Sequence, residues 1–201
     1  MGLGRGMLLA AAGMTLGLTT MSAHAQSFMN AGGRTTQPVG HYELCQALPD
    51  ECAQVTSKQA PTELTRKLWA RIVEVNNLVN TMIVPRTDRE IWGVEERWSF
   101  PADGIGDCED YVLEKRRMLM KAGMPAGNLL ITVVRQPNGD GHAVLTVRTS
   151  LGDFVLDNLE PKVLAWTDTP YEFLKQQSER HSGVWVSIED DRQMLVGSVK
   201  K

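Results

Sequence analysis

A glycine loop that runs straight into an amphipathic helix carries a cysteine at the junction: Gly104-Ile105-Gly106-Asp107-Cys108-Glu109-Asp110-Tyr111. Amide N–H groups and the positive end of a helix dipole favour thiolate over thiol at such a position. Two later stretches, Gly141-His142-Ala143-Val144 and Leu156-Asp157-Asn158, put a histidine at the start of one β-like run and an aspartate at the end of the next. In the order Cys, His, Asp, an imidazole can take the thiol proton while a carboxylate fixes its tautomer and orientation. Alone, Cys108 would read as a small buried hydrophobe. The helix start and the two partners instead make Cys108, His142 and Asp157 the candidate catalytic residues.

The surrounding periodicities put helices first and an antiparallel sheet afterwards, an α+β fold. From Pro61 to about Met82, Leu64, Leu68, Ile72, Val75, Val79 and Met82 recur at helical spacing. Asn76, Asn77 and Asn80 near its end can be ligands or hydrogen-bond partners, although amide residues closing a helix are usually capping and solvated. A second helix is expected from Asp107 to about Ala122, with Cys108, Val112 and Leu119 inward and Glu114, Lys115, Arg116 and Arg117 facing water. Gly123 and Pro125 end it. Strands follow at Leu129 to Arg135, His142 to Arg148 and Phe154 to Asp157, then a short helical segment around Tyr171 to Gln177 and a last strand at Val184 to Ile188. The turn around Ser150-Leu151-Gly152-Asp153 lies midway between His142 and Asp157, so an antiparallel hairpin can bring the two near-opposite; a one-residue slip would part them. Trp92, Trp98 and Phe100, just upstream of Cys108, can wall a substrate groove or simply pack their loop.

The 201 residues, 42% of them hydrophobic, suffice for one well-cored domain. A net charge of -3 without a basic run argues against nucleic-acid partners and a polybasic membrane patch. Arg5, the apolar run Met7 to Leu18 and Ala23-His24-Ala25 compose a signal peptide cleaved after Ala25, with a soluble periplasmic product that is not membrane-embedded. Residues 26–60 read as an N-terminal segment, poorly ordered from 26 to 40, and residues 61–201 as the domain itself. Three cysteines leave one unpaired in an oxidising compartment. Pro49 and Asp50 favour a turn between Cys45 and Cys52, so the expected disulfide is Cys45–Cys52, and Cys108 remains free.

The blocks Gly106 to Tyr111, Gly141 to Leu145 and Leu156 to Asn158 resemble those of the bacterial transglutaminase-like cysteine peptidases, the group of the LapG-type periplasmic proteases. The resemblance runs from about Trp69 to Asn158. It implies a papain-like, transglutaminase-like fold with Cys108 as nucleophile, His142 as general base and acid, and Asp157 as orienter. It also implies calcium, held by acids flanking the nucleophile, here Asp107 and Glu109, with Asp110 a further candidate. Hard oxygen ligands suit calcium, although acids in a first helical turn also complement the helix dipole. The implied substrate is a protein, such as a surface adhesin whose cleavage disperses biofilm, and the implied regulator is an inner-membrane cyclic-di-GMP receptor. Two other functions share these residues: amide transfer or deamidation through the same acyl-enzyme, and a non-catalytic periplasmic protein-binding module.

Overall fold

The computed structural model describes residues 1, 28–53, 60–101, 103–190 and 192. The signal peptide expected over residues 1–25 lies almost wholly outside them. Among the described residues, five α-helices precede most of the sheet: α1 (Val39–Ala47), α2 (Pro49–Cys52), α3 (Arg66–Met82), α4 (Asp88–Trp92) and α5 (Cys108–Lys121). The main sheet comprises β1 (Asn30–Thr35), β4 (Leu129–Arg135), β5 (Gly141–Thr149), β6 (Gly152–Leu156), β7 (Leu164–Ala165), β8 (Glu172–Ser178) and β9 (His181–Glu189). Its strands are antiparallel in the order β1-β9-β8-β4-β5-β6-β7. Two short strands, β2 (Val84–Pro85) and β3 (Ile105–Gly106), pair in parallel and carry the chain to the start of α5.

Strand residues alternate between two apolar layers, as a pleated sheet covered on both faces requires. Leu145, Val147 and Leu156 meet Ile72, Val75, Val79, Val112 and Leu119 of α3 and α5 in the larger core. Val134, Val144, Val155, Phe173 and Ile188 close on Trp166 and Tyr171 in the smaller. Thr65 starts α3 by accepting the Leu68 amide, later than the periodicity beginning at Pro61 implies.

Two segments differ from the sequence expectation. Residues 30–35 are not disordered but form β1, an edge strand completed by pairing with β9, a partner far away in sequence. The span expected to be helical around Tyr171 to Gln177 is the strand β8, where pairing with both β4 and β9 overrides local propensity.

The disulfide forms between Cys45 and Cys52, and its sulfurs lie 3.6 and 3.8 Å from the ring of buried His41. His41 also accepts from Trp185 Nε1 at 3.3 Å and meets Trp98 and Trp185 edge-on. Burial, with a smaller effect of Arg116, lowers its pKa to about 4, so it is a neutral core histidine at neutral pH.

Helix α5 corrects a further expectation, because Lys115 and Arg116 are buried rather than facing water. Arg116 is satisfied by Leu129 O at 3.0 Å and Ser182 Oγ at 2.9 Å. Lys115 Nζ has no hydrogen-bond partner among the described residues and lies 5.9 Å from the Tyr111 ring centroid. Burial lowers its pKa from 10.5 to about 7, opposed by the charge of Asp157. A base with a depressed folded pKa leaves the unfolded chain holding more protons between these values, so stability rises with pH across that window. Lys115→Met is therefore expected to stabilise the fold most at pH 7. Its advantage over wild type should narrow by up to about 1.4 kcal/mol per unit as pH approaches 10; urea unfolding at several pH values measures it, and a pH-independent difference would refute the assignment.

Candidate active site

Cys108 is the first residue of α5, half-buried and free of disulfide bonding. The β2–β3 pair delivers it there, with Gly106 inside the parallel bridge and Asp107 extended at the N-cap. Its Sγ lies 3.2 Å from Glu109 Oε2 and receives a hydrogen bond from the Ala143 amide, next to His142. Burial raises the thiol pKa well above its ordinary value, and Glu109 adds to that, whereas the Ala143 amide opposes it. The direction is opposite to the helix-dipole expectation because burial and neighbouring carboxylates outweigh one helix end.

His142 and Asp157 meet directly, with Nε2 2.7 Å from Oδ1 and both residues buried. The register that joins them pairs Leu145 with Leu156, two positions away from direct opposition of His142 and Asp157 but with both on one face. Asp157 is held on every side. Oδ1 also accepts the Leu159 amide at 3.0 Å, Oδ2 accepts the Tyr171 hydroxyl at 2.5 Å, and Asn80 Nδ2 holds the backbone carbonyl at 2.7 Å. Burial would raise the carboxyl pKa, but His142, the Tyr171 hydroxyl and the Leu159 amide outweigh it and lower that pKa below its usual value. Asn76 and Asn80 are thus not solvated caps: Asn76 is buried and donates to Pro161 O at 3.0 Å, so both anchor the segment after β6.

Around the helix start, Asp88, Asp107 and Glu109 each offer a carboxylate oxygen, and the three lie within 4.8 Å of one another. Asp107 and Glu109 belong to the expected metal set; Asp88 does not and was hidden by its place in the helix-start pattern Thr87-Asp88-Arg89-Glu90. Asp110 is turned elsewhere, accepting the Ser99 amide at 2.8 Å, and burial raises its pKa to about 7. Asp107 occupies the N-cap without capping the helix and instead accepts the Asp88 amide at 3.2 Å. One buried oxygen on each of Asp88, Asp107 and Glu109 has no hydrogen-bond partner among the described residues. Burial raises the pKa of Asp88 and of Glu109, and Asp107 raises both further. Three clustered carboxylates, each with one buried oxygen that no described donor satisfies, fit a hard divalent cation.

The aromatic stretch divides between the interior and the surface. Trp98 is buried against Trp185, while Trp92 is exposed beneath the Arg97 guanidinium, which stands 4.0 Å from the ring centroid. Phe100 and Arg97 line a cleft with Trp92, Ile105 and Asp110.

A helix-start thiol beside a buried His–Asp pair, with α3 and α5 laid on an antiparallel sheet, is the transglutaminase-like form of cysteine peptidase architecture. The chain belongs to the family of bacterial transglutaminase-like cysteine proteinases, whose model matches residues 31–193. No curated protein matches it. Legionella pneumophila LapG in its calcium-bound form is 26% identical, with a TM-score of 0.51, over 59% of this chain and 68% of that one. Another structure of Legionella pneumophila LapG is 27% identical at a TM-score of 0.51, covering 63% and 73%. The EGTA-treated form is 25% identical at 0.50, covering 65% and 74%.

Gly106 lets the acids crowd the helix start, since a Cβ there would lie 2.5 Å from Asp110 Oδ2 and 2.7 Å from Asp110 Cβ. Gly106→Ala is expected to displace Asp110 and lower stability by about 1–3 kcal/mol, read as a lower urea midpoint. An unchanged midpoint would mean the helix start tolerates the methyl group.

Proposed function

We propose that the chain is an exported cysteine endopeptidase in which Cys108 is the nucleophile, His142 the general base and acid, and Asp157 the orienter. The observation that carries the reading is the buried 2.7 Å His142–Asp157 bond one residue from the amide that touches Cys108 Sγ. Because Asp157 engages Nε2, Nδ1 is the nitrogen that takes the thiol proton. The thiolate then attacks a peptide carbonyl carbon, and N–H groups at the start of α5 receive the developing oxyanion. The imidazolium returns its proton to the leaving amine, and water, deprotonated by the same imidazole, hydrolyses the thioester.

Asp88, Asp107 and Glu109 are the residues that would hold calcium; the calcium-bound and EGTA-treated forms of Legionella pneumophila LapG support that choice of metal. Bound there, the cation would supply positive charge that offsets the acids and favours the thiolate. Export to the periplasm is supported by the disulfide Cys45–Cys52, and cleavage after Ala25 follows from the Ala23-His24-Ala25 pattern of the sequence. The proposed substrate is a cell-surface protein of the adhesin kind and the proposed regulator an inner-membrane receptor, both drawn from the family resemblance.

Two experiments test the reading. Incubated with a peptide library and calcium, the mature chain is expected to generate new N-termini, and Cys108→Ser and His142→Ala are expected to lose about a thousandfold or more of that rate. Incorporation of a labelled amine without new N-termini would replace hydrolysis by amide transfer. Millimolar calcium is expected to raise the thermal midpoint of the wild type, EGTA to reverse the rise, and Asp88→Asn to remove most of it. A midpoint indifferent to calcium would remove the metal from the proposal.

A further inference from the structure

The reading of Asp157 as orienter leaves open what orients Asp157. Its carboxylate has two oxygens with separate duties. Oδ1 faces His142 Nε2 at 2.7 Å, and Oδ2 accepts the Tyr171 hydroxyl at 2.5 Å. A carboxylate held through one oxygen can pivot about its terminal torsion, which is broad and nearly two-fold. A donor on the second oxygen removes that freedom. Tyr171 is buried, and its ring packs at 59° against the imidazole with centroids 5.7 Å apart, so one side chain touches both members of the pair.

Tyr171 lies outside regular structure, just before β8, and its own position needs an anchor. Arg192, from the chain beyond β9, supplies one. Its Nη2 donates to Tyr171 O at 2.6 Å, and its Nη1 donates to Trp166 O at 2.8 Å and Thr169 O at 3.4 Å. The guanidinium stands 4.5 Å from the Trp166 ring centroid and 5.0 Å from that of Phe173. Asp190 fixes it from the other side at 2.6 Å while accepting the Phe173 amide at 3.1 Å. A planar fork with five donors can gather three carbonyls while stacking on two rings, which a lysine ammonium cannot.

We propose that Tyr171 is a positioning residue for the Asp157 carboxylate and that Arg192 is the strap presenting it, so that the C-terminal end of the fold sets the alignment of the His142–Asp157 pair. The inference rests on the peptidase reading above, and its test is separable from it. The proton in the His142–Asp157 hydrogen bond gives a far-downfield NMR resonance that requires no substrate. In Tyr171→Phe, which retains the ring, this resonance is expected to move further downfield, because a carboxylate that loses one donor binds the remaining proton more strongly. Alkylation of Cys108 by iodoacetamide at pH 7 is expected to slow on the order of tenfold through misalignment of the imidazole. Arg192→Met should shift both readouts the same way and by less, and the double variant should go no further than Tyr171→Phe alone.

An unmoved resonance with unchanged alkylation in Tyr171→Phe would overturn the proposal. So would an Arg192→Met effect that adds in full to that of Tyr171→Phe. If Arg192→Met does not fold, Tyr171→Phe decides the matter. Wild-type alkylation no faster than that of His142→Ala would sink the peptidase reading, while the resonance would still judge the strap.

Discussion

Between β5 and β6, Leu145 faces Leu156, and this register leaves His142 and Asp157 on one face within hydrogen-bonding reach. Both cores depend on the same alignment. Leu145, Val147 and Leu156 point to α3 and α5, while Val144 and Val155 point to Trp166 and Phe173. Slipping the pair by one residue would exchange the layers and bury the wrong set on each side, so the apolar packing of the whole domain enforces the geometry of two polar side chains. The tight turn at Thr149–Gly152, where Thr149 Oγ1 donates to Gly152 O at 2.9 Å, fixes the count of residues between them.

Much of the polar chemistry is enclosed rather than displayed. Asp157 keeps its charge inside the protein because three donors converge on it. Glu109, buried beside Asp107 with the Cys108 thiol as its side-chain donor, is pushed toward its neutral form. Lys115, one helical turn beyond Tyr111, sits in the same interior with only the field of Asp157 in its favour. Desolvation thus acts on all three, and the hydrogen-bond partners determine which of them stays ionised.

Cys108, His142 and Asp157, the trio proposed for catalysis, stand out in the sequence because they lie in short blocks with glycine and β-branched neighbours that mark a helix start and two strand ends. The disulfide was legible because its loop is short. What escaped was set by contacts between distant segments. β1 exists only through β9, and β8 takes its form from two neighbours rather than from Tyr171 to Gln177 themselves. Lys115 and Arg116 were assigned to water by their charge, yet they follow Cys108 by seven and eight positions and so share the inward stripe. Spacing was the better guide there. Asp88, Tyr171 and Arg192 carry no local signature, since each meets the site across 14 residues or more of chain or through another residue.

The acids at the start of α5 hold the preceding loop by its backbone. Asp107 takes the amide of Asp88, Asp88 takes the amide of Arg97, and Asp110 takes the amide of Ser99. Every residue except proline has such an amide, so the grip is indifferent to the side chains of the loop it secures. Trp92, Arg97 and Phe100, which face the cleft, can therefore be exchanged during evolution without loosening the loop from the helix that bears the thiol. A lineage could thus reshape this cleft by drift in the loop alone, while the acids that hold it pass unaltered from one descendant to the next.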